Sequence, residues 1–185
     1  MDSAEHKKAA RTVTDAFKVV ERIYRHTYQT LTALAEELKT ALELDFMSPQ
    51  NPQSQSSTDP KSWIHQYRAL YLSRNKFSLE DYKGRPRPII FLQVSIYYNG
   101  SKHEPALRYG LINEISSFLE YKNPRFDDYF KKIMNELHAA PKTGKIATTH
   151  CTAKVDFEEI PLLNIRDDAD IVAVVGIITD KHGKI

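Results

Sequence analysis

Apolar residues recur about every three and a half positions through the first forty-odd residues of the chain. The recurring positions alternate between steps of four and three residues: Val13, Phe17, Val20, Tyr24, Thr27, Leu31, Leu34, Leu38 and Ala41. This period is typical of a helix that packs along its whole length. Neither proline nor glycine occurs in residues 2–47, so nothing there interrupts the pattern. We therefore predict one long amphipathic helix over residues 1–46.

The predicted helix is long compared with the domain that follows it. Some forty residues at 1.5 Å each span about 60 Å, whereas the remaining ~140 residues would form a domain with a radius of gyration of about 14–15 Å. We expect the helix to extend beyond that domain and to pair with an identical chain or with a partner helix. In the alternative, the helix is kinked or shorter and covers only its own sheet. The predicted interface is the apolar seam formed by Phe17, Val20, Tyr24, Leu31, Leu34 and Leu38.

Residues 47–61 are rich in proline, glutamine and serine, which predicts a linker or a long surface loop. From there to residue 185 we predict one α+β domain, because the apolar pattern changes to alternation. Residues 63–74 fit a strand, although a helix remains open. Residues 90–98 are the clearest strand of the chain, and Asn99-Gly100 favours a turn before a returning strand over residues 106–118.

A second helix is predicted after residue 122. Asn123 and Pro124 give a capping residue followed by a proline at the first helical position. Two further strands follow in the prediction. Residues 147–157 alternate apolar and polar side chains, whereas residues 170–179 are apolar on both faces and fit a central strand covered on both sides.

The order of these elements predicts an α+β fold. It consists of the long N-terminal amphipathic helix, a mostly antiparallel five-stranded sheet and one further helix. Hairpin-like connections favour the antiparallel arrangement, and helices on one face of the sheet would be the most economical packing. The sequence shows no internal repeat.

Composition narrows the class of protein. The chain has 185 residues, of which 41% are hydrophobic and 27% are charged, as in ordinary globular domains. No apolar run approaches the roughly 20 residues that a membrane span requires, so we expect no membrane partner. Cys151 is the only cysteine, which excludes an intrachain disulfide and favours a cytoplasmic location. It falls on the apolar face of its predicted strand, where it would be a small buried side chain.

Residues 67–87 interleave aromatic and cationic side chains. Stacking on aromatic rings beside a cationic track is how single-stranded nucleic acids are bound. The same tyrosines would serve equally well as sheet-face residues, and the sequence pI of about 8.5 is low for a dedicated binder. The candidate nucleic-acid-binding residues are Tyr67, Arg68, Tyr71, Arg74, Lys83, Arg85 and Arg87.

Signals for catalysis and for cofactors are weak. Glu120-Tyr121-Lys122 follows the acid-x-lysine pattern of metal-dependent nucleases, but a tripeptide of this kind often occurs by chance. The histidines show no metal-ligand spacing, and no glycine-rich phosphate loop is present. We therefore predict no cofactor, no metal site and no catalytic residue.

The long seam is the strongest functional signal. We expect a non-catalytic interaction or regulatory protein that self-associates or docks a partner through its N-terminal helix. The alternatives are single-stranded nucleic-acid binding through residues 67–87 and, less favoured, a metal-dependent nuclease that uses Glu120 and Lys122.

Overall fold

The computed structural model describes residues 3–50, 67–74, 76, 78–95, 104–118, 125–137 and 142–182. The described residues form four α-helices, six strands and a short 3-10 helix. The helices are α1 (Ser3–Leu42), α2 (Leu79–Gly84), α3 (Phe126–Glu136) and α4 (Asp168–His182). The strands are β1 (Phe46–Gln50), β2 (Tyr67–Ser73), β3 (Ile89–Ser95), β4 (Ala106–Ser116), β5 (Thr143–Ala147) and β6 (Thr152–Pro161), and the 3-10 helix is Leu162–Asn164.

The six strands form one antiparallel sheet in the order β1-β2-β3-β4-β6-β5. The predicted α+β class is confirmed, but the predicted count of five strands is wrong. Residues 147–157 were expected to be one strand, whereas the chain reverses between β5 and β6. The Thr148 side chain makes this reversal by accepting hydrogen bonds from the backbone N–H groups of His150 and Cys151.

Helix α1 is one long helix of 40 residues, as the apolar period predicts. It ends four residues earlier than predicted, because Glu43 adopts a left-handed conformation with φ of 51°. The N–H of Leu44 then donates to the carbonyl of Lys39, and the buried Leu44 side chain closes the helix end. Strand β1 follows immediately, so Phe46–Gln50 includes the first residues of the predicted linker. Residues 51–66 lie outside the described part of the chain.

Helices cover both faces of the sheet, so the expectation of helices on one face is wrong. One face packs against α2 and α3, with Tyr82, Phe91 and Phe130 among its buried residues. The opposite face packs against α1 and α4, through residues such as Leu34 and Ile178. The two sets alternate along β3, because successive side chains of a strand point to opposite faces.

Residues 170–179 were predicted to be a strand, and the structure corrects this to helix α4. Asp167 accepts a hydrogen bond from the N–H of Asp170, and the Asp170 carboxylate accepts one from the N–H of Arg166, which stabilises the start of the helix. A segment that is apolar on two faces fits a buried strand and a helix equally well by periodicity. Ile171, Val174 and Ile178 form the buried face, spaced as a helix requires.

Helix α3 begins at Phe126, two positions after the predicted first helical residue. Arg125 is the capping residue, and its N–H donates to the carboxylate of Asp128. Asn123 and Pro124 lie outside the described residues. Helix α2 was not predicted; it starts with a capping box in which Ser78 and Asp81 each accept from the other's backbone N–H. Among the described residues, no helix is long and apolar enough to cross a membrane.

Candidate association surface

The apolar seam of α1 is divided between a buried half and an exposed half. From Thr27 to Leu38 its members lie in the core: Thr27, Leu34 and Leu38 are 0% exposed, and only Ala41 at the end of the helix is exposed again. Before Tyr24 they are open to solvent, with Phe17 at 70% and Val13 at 54%. We call residues 3–26 of α1 the overhang. The sheet and α4 cover the seam only after the overhang.

This division splits the predicted partner-helix interface into residues that the chain buries itself and residues that stay exposed. Leu31, Leu34 and Leu38 pack against β2, β3 and α4 of their own chain, so they do not present a surface to a partner. Phe17 and Val20 remain exposed, and Tyr24 is partly buried. The alternative that the helix covers its own sheet therefore describes the C-terminal half, whereas the overhang keeps an uncovered apolar face.

The exposed face of the overhang is wider than one seam. Val19 and Ile23 lie beside the seam and are 56% and 40% exposed. On a helix of 3.6 residues per turn, these side chains and the seam occupy about half of the circumference. Scattered single apolar residues on a surface need no explanation, whereas a contiguous apolar patch of this kind is a candidate interaction site. The overhang is the strongest candidate for an association surface among the described residues.

Arg68 marks the point at which α1 leaves the sheet. Its guanidinium carbon lies 5.8 Å from the ring centre of Tyr24 and 5.5 Å from that of Tyr28. Arg68 comes from the start of β2, so the contact with Tyr24 connects that end of the strand to the last turn of the overhang. Cation–π contacts of this kind fix the helix by about 0.5–1 kcal/mol each. Arg68 is thus engaged with the protein's own tyrosines.

The charges of the overhang are predominantly basic. Lys7, Lys8, Arg11, Lys18, Arg22 and Arg25 face three acids, Glu5, Asp15 and Glu21, so six minus three gives a formal charge of +3. Lys18 pairs with Asp15 and Arg25 with Glu21, both at exposed positions. Arg11 and Arg22 make no ion pair with any described residue. The overhang therefore combines an apolar face with uncompensated positive charge.

A second uncovered apolar surface lies on α4. Val172 is 61% exposed and Ile177 is 46% exposed, on the side of the helix that faces away from the sheet. Ala173 and Gly176 lie between them and are also exposed. We call Val172, Ala173, Gly176 and Ile177 the outer strip of α4. Sequence reasoning noticed that this segment is apolar on two faces but attributed both faces to burial within the domain.

The structure does not bring all of the predicted nucleic-acid-binding residues together: the register of β2 with β3 places Arg74 near the residues that precede β3, such as Arg87, and far from Arg68. Arg68 lies at one end of β2, and Arg74 follows the other end, six positions or about 20 Å away. Tyr71 is buried among aromatic rings and donates its hydroxyl to Asp127, so it is not a stacking platform. Lys83 lies over Phe118 and pairs with Glu80. Arg85 is exposed and Arg87 is half-buried, and the side chain of Tyr67 lies outside the described part.

Two networks of polar side chains, one of them partly exposed, connect elements of the fold. Nε of Arg108 donates to Glu159 at 2.6 Å, and its terminal nitrogen donates to Gln93 at 3.3 Å. Gln93 in turn donates to the carbonyl of Met134 at 2.8 Å, in the last turn of α3. That carbonyl would otherwise lack a helical partner. This network therefore connects three strands to the end of a helix.

The second network attaches the end of α4 to β6. The hydroxyl of Tyr109 and Nζ of Lys181 both donate to the Glu158 carboxylate, at 2.8 and 2.7 Å. The hydrogen bond from Lys181 holds the pKa of Glu158 below its usual value. Burial raises the pKa of Tyr109, so its hydroxyl stays protonated and acts as a donor.

The remaining candidates for catalysis or metal binding are Cys151, a cluster of metal-ligating side chains and the residues of the nuclease hypothesis. Cys151 is buried in the core as predicted, and burial raises the pKa of its thiol, which disfavours the reactive thiolate. No group of three or more metal-ligating side chains occurs among the described residues. Glu120 and Lys122, the residues of the nuclease hypothesis, lie outside the described part of the chain. The exposed apolar face of the overhang therefore remains the best-defined candidate surface among the described residues.

Comparisons of the chain with protein-family models, with curated protein sequences and with solved structures each give no match.

Proposed function

We propose that this chain is a self-associating interaction protein whose overhang forms the contact between copies. The observation that carries the proposal is the division of one apolar seam into a half that its own sheet buries and a half that stays exposed. Both halves have the same spacing and face the same side of α1. The exposed half is therefore a packing surface for which this chain supplies no cover in its described part.

The energetics of an uncovered helix support this proposal. A helix without tertiary contacts gains little stability in water, and its stability in proteins comes mainly from packing of its apolar face. Complete burial of a side chain such as phenylalanine or valine contributes about 1.5–3 kcal/mol. Phe17, Val20 and Ile23 could therefore provide several kcal/mol to an association, which would stabilise the overhang and join the copies in one step.

The direct experiment compares two double variants of the full chain. Phe17→Gln with Val20→Gln removes the apolar face of the overhang, and glutamine preserves helix propensity. Asp15→Gln with Arg22→Gln is the matched control, because it makes the same replacements on the opposite face and leaves the net charge unchanged. We expect the first variant to lower the solution mass measured by light scattering, and the control to match the wild type.

Circular dichroism should show that both variants retain the sheet and the packed half of α1. If both double variants self-associate as strongly as the wild type, the overhang is not the interface and the proposal fails. A loss of association in the control alone would also contradict it.

A further inference from the structure

A groove opens between α1 and α4, at the point where α4 begins. It has a volume of about 360 Å³, which lies within the range of small-molecule sites. One wall comes from the middle of α1 and the other from the residues that lead into α4. The lining residues that matter for binding are Thr30, Ala33, Ile165, Asp167, Asp168 and Ile171. The groove therefore combines polar and apolar groups between two packed helices.

Thr30 is the buried polar residue of this groove. Only 3% of it is exposed, yet its hydroxyl makes no hydrogen bond with a described residue. Thr12, Thr14 and Thr40 of the same helix donate their hydroxyls to the carbonyl four residues earlier. Thr30 does not use this ordinary partner, and because it lines the groove, its hydroxyl is directed to the open space there. A molecule in the groove would supply the missing partner.

Thr27 provides a comparison within the same helix. It lies three residues before Thr30, is 0% exposed and has an enclosed hydroxyl without a hydrogen-bond partner in the described part of the chain. It does not line the groove. The two threonines therefore share their residue type, helix and burial, and they differ in whether the hydroxyl can meet a bound molecule.

The uncompensated charge of the groove is negative. Asp167 and Asp168 line it together with Arg166. Nε of Arg166 lies 3.2 Å from the carboxylate of Asp170, which compensates the charge of the guanidinium. Asp167 accepts one hydrogen bond from the N–H of Asp170, and Asp168 makes no ion pair with a described residue. Two carboxylates are therefore available to a cation in the groove.

The rest of the lining selects the kind of cation. Ala33, Ile165 and Ile171 provide an apolar wall, against which a hydrocarbon chain can pack. No group of three or more metal-ligating side chains occurs among the described residues, so the groove lacks the ligand set of a metal site. An alkylammonium ion carries three N–H donors on an apolar chain. Its two parts match the acidic and the apolar sides of the groove.

We propose that the groove between α1 and the start of α4 is a binding site for a small organic amine. The ammonium group donates to the carboxylate of Asp168 and to the hydroxyl oxygen of Thr30, and the hydrocarbon part packs on Ala33 and Ile171. The site does not include the exposed apolar face of the overhang. It therefore stands or falls independently of the proposed self-association.

The test is a titration of the isotope-labelled full chain with n-butylamine, followed by nuclear magnetic resonance at neutral pH and constant ionic strength. We expect saturable shifts of the backbone resonances of residues 26–33 and 165–171, with a dissociation constant in the millimolar range because the probe is small. Two matched probes, 1-butanol and butyrate, have the same hydrocarbon chain with a neutral or an anionic head. Neither should cause saturable shifts in these residues.

Two pairs of variants assign the binding to the groove. Thr30→Val removes the hydroxyl at nearly constant volume and should raise the dissociation constant of n-butylamine about tenfold, because a hydrogen bond to a charged group is lost. Thr27→Val makes the same replacement outside the groove and should bind like the wild type. Asp168→Asn should raise the dissociation constant about three- to fivefold. Asp180→Asn, at the other end of α4, is its matched control.

The outcomes separate this inference from the proposed function. Phe17→Gln with Val20→Gln should bind n-butylamine like the wild type, whether or not the chain self-associates. The inference is overturned if the wild type shows no saturable shifts in the groove, or if 1-butanol or butyrate binds there as tightly as the amine. Equal affinity of Thr30→Val and Thr27→Val for the amine would also overturn it.

Discussion

The guanidinium of Arg68 lies 5.5 Å from the centre of the Tyr28 ring. This contact joins the start of β2 to the part of α1 where the apolar seam changes from exposed to buried. It also lies at the base of the overhang, because the seam residues from Thr27 to Leu38 are buried. This pair therefore lies where the overhang begins to leave the domain.

Replacement of Arg68 by alanine should destabilise the fold. The substitution removes the contacts with Tyr24 and Tyr28, and we expect the free energy of unfolding to fall by about 1–2 kcal/mol. Urea denaturation of the full chain measures this loss. Arg85→Ala is the control, since that side chain is exposed, and it should change the free energy by less than about 0.5 kcal/mol. Equal stability of the two variants would show that Arg68 does not fix α1.

Gly110 should tolerate no side chain. A Cβ at this position would collide with the backbone oxygen of Asp156 and would lie 2.6 Å from the Cα of Phe157, in the centre of the β4–β6 pairing. We expect Gly110→Ala to lower the melting temperature strongly or to prevent folding. Gly84→Ala is the matched control, because nothing lies within 4 Å of its Cβ position. A Gly110→Ala chain as stable as this control would contradict the described pairing.

Tyr82 should make stability depend on pH in the alkaline range. Burial raises the pKa of Tyr82 to about 12, although the hydrogen bond from the N–H of Ile115 opposes this shift. The folded protein thus holds the proton more tightly than the unfolded chain, whose tyrosine pKa is about 10. The resulting stability is complete below pH ~10 and is lost as the pH rises toward ~12.

The variant Tyr82→Phe tests this prediction. It should be less stable by about 1 kcal/mol at neutral pH, because the N–H of Ile115 loses its acceptor. Between neutral pH and pH ~11 it should lose about 1 kcal/mol less than the wild type. Tyr28→Phe is the control, since that ring is 55% exposed. If the pH dependence of Tyr82→Phe matches that of the wild type over this range, the buried hydroxyl is not its source.

The sequence predicted the elements whose pattern has only one physical explanation. The seam of α1 and the alternation in β3 were correctly assigned, because a long helical period and a strict two-residue period do not resemble each other. Helix α4 was missed, since its second apolar face imitates a buried strand. The turn between β5 and β6 was missed because the Thr148 side chain makes it, without glycine or proline.

The candidate association surface could be predicted only in part. Seam spacing is identical whether a helix packs on its own sheet or on another chain, so Leu31 and Leu38 could not be distinguished from Phe17 by sequence. Burial in the structure separates them. The interleaved tyrosines of β2 illustrate the same ambiguity, because Tyr71 fits a nucleic-acid platform and a sheet core equally well until its burial is known.

The most direct test of self-association is sedimentation equilibrium of the full wild-type chain over a wide range of concentrations. We expect the average mass to rise from the 21.3 kDa of one chain toward a multiple of it as the concentration increases. The increase should disappear in Phe17→Gln with Val20→Gln and persist in Asp15→Gln with Arg22→Gln. A wild-type mass that remains that of a single chain at the highest concentration would contradict the account.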